Sequence, residues 1–151
     1  MKVPKDWSDF AESLNSAEVE YLIVGAVALF AYGIPRFTGD IDFFVRPSVD
    51  NASRLKKALE IYLPGATNLD PEDFCKGEKM ITLGIPPLRV DILNSITGVT
   101  FEEAWAQKVS ANLGTVPIWI ISFGHLKQNK QATNRPKDMA DIEVLKKMEE
   151  V

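Results

Sequence analysis

Apolar residues recur along the chain with two different periods, which divide it into helices and strands. Trp7, Phe10 and Leu14 follow the spacing of one helix face, so a first helix is predicted near the amino terminus. Residues 20–24 and 40–45 are short runs rich in Val, Ile, Phe and Tyr, which is typical of strands. The chain therefore begins as an alternation of helix and strand.

Turn and cap residues set the remaining boundaries. Gly33 and Pro35 end a short helix predicted over residues 26–32, and Ser48 is placed to cap an amphipathic helix over 48–62. The last helix begins near Pro136 and is predicted to bury Met139, Ile142, Val144 or Leu145, and Met148. Between them we predict strands at 79–84 and 88–93 that form a hairpin, a helix at 101–109, a strand at 116–121 and a helix at 122–132 capped by Ser122.

This order of elements predicts an α/β (α+β) fold, a mixed β-sheet flanked by helices with a C-terminal helical segment. The length of 151 residues and the apolar fraction of 46% suit one domain, 1–151, with a sheet core at 1–121 and packed C-terminal helices at 122–151. The net charge of -4 argues against a protein that coats nucleic acid. The single cysteine, the lack of a signal-peptide pattern and the lack of a long apolar stretch predict a cytoplasmic protein without a membrane partner.

Three carboxylates are the candidate chemical groups. Asp40 and Asp42 point to the same side of their strand, roughly 7 Å apart along the backbone. If the strand at 88–93 pairs beside it, Asp91 lies about 5 Å away, and the three negative charges converge. Such a cluster repels itself unless a cation neutralises it, and Mg²⁺ or Mn²⁺ is the natural occupant. The alternative is that Asp91 is an exposed strand residue with Arg89 as its charge partner.

A glycine after the first strand adds a possible phosphate site. Gly25 would let the backbone approach phosphates at the start of the following helix, although it could also be a simple strand-to-helix turn. Two metal ions held by carboxylates can clamp the attacking and leaving oxygens at phosphorus, so phosphoryl-type chemistry fits better than acyl transfer. Arg36 and Thr38 either shape the loop before the second strand or contact a triphosphate.

These motifs resemble the nucleotidyltransferase fold, and within it the small bacterial AbiEii-type nucleotidyltransferases. The resemblance extends over nearly the whole chain. It is carried by VGA at residues 24–26, YGIPRFTGDID at 32–42, GIPPLRVDIL at 84–93, SITGVTFEEAW at 95–105, Lys130, and RPKDMADI at 135–142.

The resemblance implies transfer of a nucleoside monophosphate from a nucleoside triphosphate (NTP) to an acceptor, with release of pyrophosphate. By position, it implies Asp40, Asp42 and Asp91 as catalytic and metal-binding residues for two Mg²⁺ or Mn²⁺ ions. It also implies Gly25 as the phosphate-loop glycine, and it places Lys130, Arg135, Lys137 and Asp138 in the carboxy-terminal motif, whose basic side chains face the nucleotide or acceptor. Ala26, Arg36 and Thr38 complete the predicted nucleotide- or phosphate-binding set. Ala26 departs from the family pattern, which has a second glycine or a serine there, so a hydroxyl contact to phosphate is missing.

Two alternatives remain open at this point. Around Pro136 the residues have a structural explanation, because Asp138 favours a helix amino end and Lys137 can pair with Asp141. The whole chain could also be a nucleotide-binding or partner-binding module without turnover, such as one half of a toxin–antitoxin pair. The acceptor, whether a small molecule, a protein or a transfer RNA, is not encoded in any motif.

Overall fold

The computed structural model describes residues 3–36, 38–65 and 68–149, and within them the chain is a mixed α/β protein with seven helices and six strands. The helices are α1 Lys5–Ser16, α2 Gly25–Ala31, α3 Val49–Tyr62, α4 Pro71–Phe74, α5 Phe101–Ala106, α6 Phe123–Thr133 and α7 Pro136–Glu149. The strands are β1 Tyr21–Val24, β2 Asp40–Val45, β3 Met80–Leu83, β4 Arg89–Leu93, β5 Val109–Leu113 and β6 Val116–Ile120.

The six strands form one mixed sheet in the order β3-β4-β2-β1-β6-β5. β1 runs antiparallel to β2 and parallel to β6, while β2 and β4 are parallel neighbours. The predicted hairpin of β3 and β4 is confirmed, and a second hairpin joins β5 to β6. This order places β2 between β1 and β4, so the strand that carries two aspartates lies inside the sheet.

Side chains alternate across the sheet, and each face has its own apolar core. On the first face Phe43 packs with Phe10 of α1 and with residues of α3. On the second face Phe44 packs against Phe101 of α5, and buried residues of α6 and α7 join the same cluster. Because Asp42 alternates with Phe43 on β2, it lies on the second face, beneath the C-terminal helices.

The predicted caps are confirmed. The side chain of Ser48 accepts a hydrogen bond from the Asn51 backbone N–H, and that of Ser122 accepts one from the His125 N–H. Each satisfies a backbone donor that would otherwise lack an intrahelical partner at the first turn.

Three details of the predicted elements are wrong. The helix predicted to end at residue 109 ends at Ala106, and Val109 begins strand β5. The short helix α4 is an addition that turn signals alone did not indicate. On α7, Ile142 and Leu145 are buried as predicted, whereas Met139 and Met148 are exposed.

Within the described ranges, none of the helices combines the length and the apolar character that crossing a bilayer requires.

Candidate active site

Three carboxylates meet on the second face of the sheet. In the parallel pairing of β2 with β4, Asp42 stands directly opposite Asp91 and Asp40 stands opposite Arg89. Each of Asp40, Asp42 and Asp91 offers an oxygen within 4.8 Å of the others. The predicted convergence is therefore confirmed. Of the alternative, the exposure of Asp91 is wrong, since that residue is only 4% exposed, whereas its pairing with Arg89 is confirmed.

Neighbouring side chains hold two of the carboxylates in place. Arg89 Nη2 lies 2.5 Å from Asp40 Oδ2 and 3.2 Å from Asp91 Oδ2. Thr82 on β3 donates its hydroxyl to Asp91 Oδ1 at 3.0 Å. Thr38 donates to the Asp40 backbone carbonyl at 2.7 Å, and its hydroxyl is 3.2 Å from Asp40 Oδ1. Thr38 thus anchors the backbone from which the Asp40 carboxylate projects.

Asp42 is the carboxylate whose protonation is most perturbed. Burial and the nearby charges of Asp40 and Asp91 raise the pKa of Asp42 to about 7, although Arg89 opposes this rise. A carboxylate that must share a small volume with two others binds a proton when no other cation is present. A divalent ion bound by these oxygens would displace that proton.

Gly25 lies directly beside Asp42, one of the three carboxylates. Its φ of +71° lies in the left-handed region, and a Cβ added there would stand 2.3 Å from Asp42 Oδ2. Glycine is therefore required both by the backbone conformation and by the approach of the carboxylate. Ala26 lies inside α2, so the left-handed turn falls on Gly25 and alanine is compatible with its own position.

A cavity of about 520 Å³ opens beside Asp42. Its volume falls within the range of small-molecule sites. The walls come from three places, which are the turn after β1, the segment that follows β4, and α6 with the residue just before α7. The lining residues are Val24, Gly25, Asp42, Leu93, Ser95, Ile96, Thr97, Asn129, Lys130, Ala132, Thr133 and Arg135.

Lys130 forms the basic side of this cavity through a buried ion-pair network. Its Nζ lies 3.2 Å from both Asp138 Oδ1 and Asp141 Oδ2, and the residue is 7% exposed. Burial lowers the pKa of Lys130, although its hydrogen bond and charge interaction with Asp138 oppose this effect. Asp141 also pairs with Arg36, which ties the loop before β2 to α7.

Asp138 joins α6 to α7. Burial raises its pKa, but hydrogen bonds from Arg135, Thr133 and Lys130 outweigh burial and hold the pKa well below the usual range. The Arg135 backbone N–H also donates to Asp138 Oδ2, at 3.2 Å. The structural explanation of Asp138 is therefore confirmed, while Asp141 pairs with Lys130 and Arg36 rather than with the predicted Lys137.

The predicted phosphate-binding residues are only partly brought together. Gly25, Lys130 and Arg135 line the same cavity as Asp42. Arg36 is committed to Asp141, and Lys137 is exposed on α7 outside that lining in the described chain. Phe37, which the resemblance includes, lies outside the described residues.

A second, larger groove of about 820 Å³ lies elsewhere. It is lined by Val90, which alternates with Asp91 on β4 and therefore faces the opposite side of the sheet. Asp6, Asp9 and Glu12 form one of its walls. Of the acidic triad (Asp40, Asp42 and Asp91), Asp42 lines the smaller cavity, so size alone does not identify the chemical site.

The sequence indicated Arg89 only as a charge partner of Asp91; its pairing with Asp40 and the contributions of Thr82 and Thr133 were not predicted. The pairing of Arg89 with Asp40 follows from strand register, since parallel β2 and β4 place these two residues opposite each other. The Thr82 contact follows from the hairpin, in which Thr82 pairs with Asp91. No sequence motif determines the register of β2 with β4 or of β3 with β4.

No protein-family model matches the chain, and no curated protein matches it. The function must therefore be inferred from the residues of the site.

Proposed function

We propose that the chain is a metal-dependent nucleotidyltransferase with a nucleotidyltransferase-like fold. It would move a nucleoside monophosphate from an NTP to an acceptor hydroxyl and release pyrophosphate. The bond from the acceptor oxygen to the α-phosphorus forms, the bond from that phosphorus to the oxygen bridging to the β-phosphate breaks, and the acceptor proton passes to a base.

One observation carries the proposal. Asp40, Asp42 and Asp91 crowd their oxygens within 4.8 Å on two parallel strands, next to a cavity that also presents Lys130. Fold stability does not require such crowding, because like charges at this distance repel and drive one of them to take up a proton. An all-oxygen donor set of this kind matches the preference of Mg²⁺ and Mn²⁺.

The carboxylates have separate tasks in this scheme. Asp40 and Asp42 would hold the ion that carries the triphosphate, and Asp91 would complete a second site while it orients the acceptor hydroxyl and takes its proton. When bound, the divalent ions supply charge neutralisation for the phosphates and bring the reacting oxygens together. Thr82 fixes the rotamer of Asp91 by a hydrogen bond and Thr38 holds the Asp40 backbone, which keeps the site preorganised.

The nucleotide would occupy the cavity beside Asp42. Lys130 and Arg135 give it cationic side chains, and Ser95, Thr97 and Asn129 give it neutral polar ones. Phosphates are bound by such charge-assisted donors, whereas the apolar side chains of Leu93 and Ile96 offer a surface for a base or sugar. Gly25 keeps the floor of the cavity open, because any side chain there would fill the space beside Asp42.

A module without turnover is the second candidate, as a nucleotide-binding protein or a partner-binding protein of the toxin–antitoxin type. Two observations favour it. Ala26 provides no hydroxyl for a phosphate, and Arg89 already neutralises part of the acidic triad. The two candidates share the fold and the cavity and differ only in whether a bond is broken.

The test combines binding and transfer. Calorimetry with each of the four NTPs and MgCl₂ should show binding that Asp42→Asn abolishes without unfolding the protein. Incubation with NTPs labelled at the α-phosphorus, with transfer RNA, protein and small-hydroxyl acceptors, should then release pyrophosphate and label one acceptor class. Binding without release of pyrophosphate would favour the module, and absence of both would contradict the proposal.

A further inference from the structure

We propose that Arg89 is an exchangeable counter-ion, which neutralises Asp40 and Asp91 in the metal-free protein and moves to the triphosphate when metal and nucleotide bind. This inference rests on the proposed function. One nitrogen of the guanidinium, Arg89 Nη2, lies between Asp40 Oδ2 at 2.5 Å and Asp91 Oδ2 at 3.2 Å. Arg89 therefore occupies the position of a cation that bridges these two carboxylates.

Arg89 and a divalent ion compete for the same two carboxylates, those of Asp40 and Asp91. Asp40 and Asp91 are two of the three residues whose oxygens lie close enough to share an ion. An ion that takes an oxygen from each of them would stand against the guanidinium, and two cations at such a distance repel strongly in a partly buried site. Arg89 must therefore withdraw from at least one carboxylate when an ion enters.

The present position of Arg89 leaves one donor unused. Its Nε is buried and has no hydrogen-bond acceptor among the residues that the structure describes. A buried donor without an acceptor is unfavourable, so this placement of the guanidinium is not the best that the group can attain. The side chain is 36% exposed, which leaves one side open for movement towards solvent.

Phosphate is the acceptor that fits the released guanidinium. An arginine fork can donate two parallel hydrogen bonds to phosphate oxygens, and its charge does not titrate at neutral pH. Arg89 begins β4 opposite Asp40, so it stands beside the carboxylate that would hold the triphosphate-bearing ion. In the loaded state the same residue would then add to nucleotide affinity.

The two roles predict opposite effects of one substitution. Arg89→Gln should raise the affinity of the nucleotide-free protein for Mn²⁺ about tenfold, because the competing cation is gone. With Mn²⁺ saturating, the same variant should bind non-hydrolysable NTP analogues about tenfold more weakly, because a charge-assisted contact to phosphate is lost. Isothermal calorimetry measures both affinities.

Arg46→Gln is the matched control. Arg46 follows β2 at its other end, where it also bridges two carboxylates, those of Glu20 and Glu102. Removing it should leave both affinities within experimental error of the wild type, because neither glutamate belongs to the acidic triad.

Arg89→Lys provides a second measurement if Arg89→Gln does not fold. Lysine keeps a charge but lacks the planar fork, so it should compete with Mn²⁺ as the wild type does and still lose nucleotide affinity. Unchanged Mn²⁺ affinity in Arg89→Gln, or unchanged nucleotide affinity in both variants, would overturn the exchange. If the variants show the predicted changes in Mn²⁺ and nucleotide affinity but the wild type transfers no nucleoside monophosphate, only the proposed function is contradicted. A wild type that binds no Mn²⁺ would contradict both.

Discussion

At the scale of single residues, the ionised carboxylate of Asp42 opposes folding in the metal-free protein. The pKa of Asp42 is raised to about 7, against about 3.9 for an unperturbed aspartate. Between these two values the folded chain binds more protons at this site than the unfolded chain. Stability therefore falls as pH rises through that window, and the deficit is fully present above pH 7.

Asp42→Asn should consequently stabilise the metal-free protein while it removes function. At pH 8 we expect a gain of about 2 kcal/mol in the free energy of unfolding, and little gain near pH 4, because the wild-type carboxylate is then protonated. MnCl₂ should raise the melting temperature of the wild type and leave that of the variant unchanged. Denaturant unfolding at both pH values measures the difference, with exposed Asp50→Asn as the control. A variant less stable than the wild type at pH 8 would show that the carboxylate is structural.

Gly25 and Gly33 form a natural comparison. Both have positive φ, +71° and +88°, but a Cβ at Gly33 meets nothing within 4 Å whereas one at Gly25 meets Asp42. Gly33→Ala should cost about 1 kcal/mol, the penalty of the left-handed conformation alone. Gly25→Ala should cost about 2–3 kcal/mol and also abolish Mn²⁺ binding, since Asp42 must move. If the two substitutions lower the free energy of unfolding equally and Gly25→Ala still binds Mn²⁺, Gly25 is not part of the site.

At the scale of elements, the strands that carry the three aspartates can be predicted from local sequence patterns. The helix contacts that complete the site are predicted less well. The boundaries predicted for β2 agree with the structure, because a run of β-rich residues ends at a proline. Alternation of faces placed Asp40 and Asp42 on one side of their strand, and Asp91 joins them there because β4 pairs beside β2, the condition on which the predicted convergence depended. Local patterns carry the strand boundaries and the alternation of faces.

Most of the incorrect predictions concern residues whose contacts depend on distant parts of the chain. Whether Arg36 faces a triphosphate or Asp141 depends on how α7 docks, and no local pattern fixes that docking. Strand β5 was missed because it is an edge strand with few buried residues, so its apolar alternation is weak. Met139 and Met148 are exposed because α7 packs mainly through Ile142 and Leu145.

The hydrogen bonds by which Asp138 connects α6 to α7 give a prediction at the scale of elements. Asp138 is fully buried and binds Lys130, Thr133 and Arg135, so Asp138→Asn should cost about 3 kcal/mol at pH 7 by leaving Lys130 underpaired. Its pKa lies below that of the unfolded chain, so the carboxylate stabilises the fold above about pH 4, and this contribution is lost as pH falls further. Urea unfolding at pH 7 and pH 3 should show the gap between variant and wild type shrinking at low pH. The exposed Glu143→Gln on the same helix is the control, and a gap that is independent of pH would contradict the account.

At the scale of the whole molecule, the candidate site joins the sheet to the C-terminal helices. The carboxylates belong to β2 and β4, whereas Lys130 belongs to α6 and Arg135 immediately precedes α7. In the proposed scheme, a metal ion alone would contact only the strands of the sheet. A bound triphosphate would engage both sides of the cavity and hold them together.

Hydrogen exchange should separate these two states. Mn²⁺ alone should slow amide exchange mainly in β2 and β4, while Mn²⁺ with a non-hydrolysable NTP analogue should also slow it in α6 and α7, because ligand binding suppresses local opening. The control is the analogue with EDTA, which should protect neither region. Protection that stays confined to the strands with both ligands present would place the nucleotide outside the cavity.

The most direct test of the central claim is the anomalous scattering of manganese in crystals soaked with MnCl₂ and a non-hydrolysable NTP analogue. We predict one Mn²⁺ peak within about 2–2.5 Å of oxygens of Asp40 and Asp42, a second Mn²⁺ peak at Asp91, and the analogue's phosphates in the cavity beside Lys130. Manganese bound elsewhere, or a nucleotide that does not contact the metal, would contradict it.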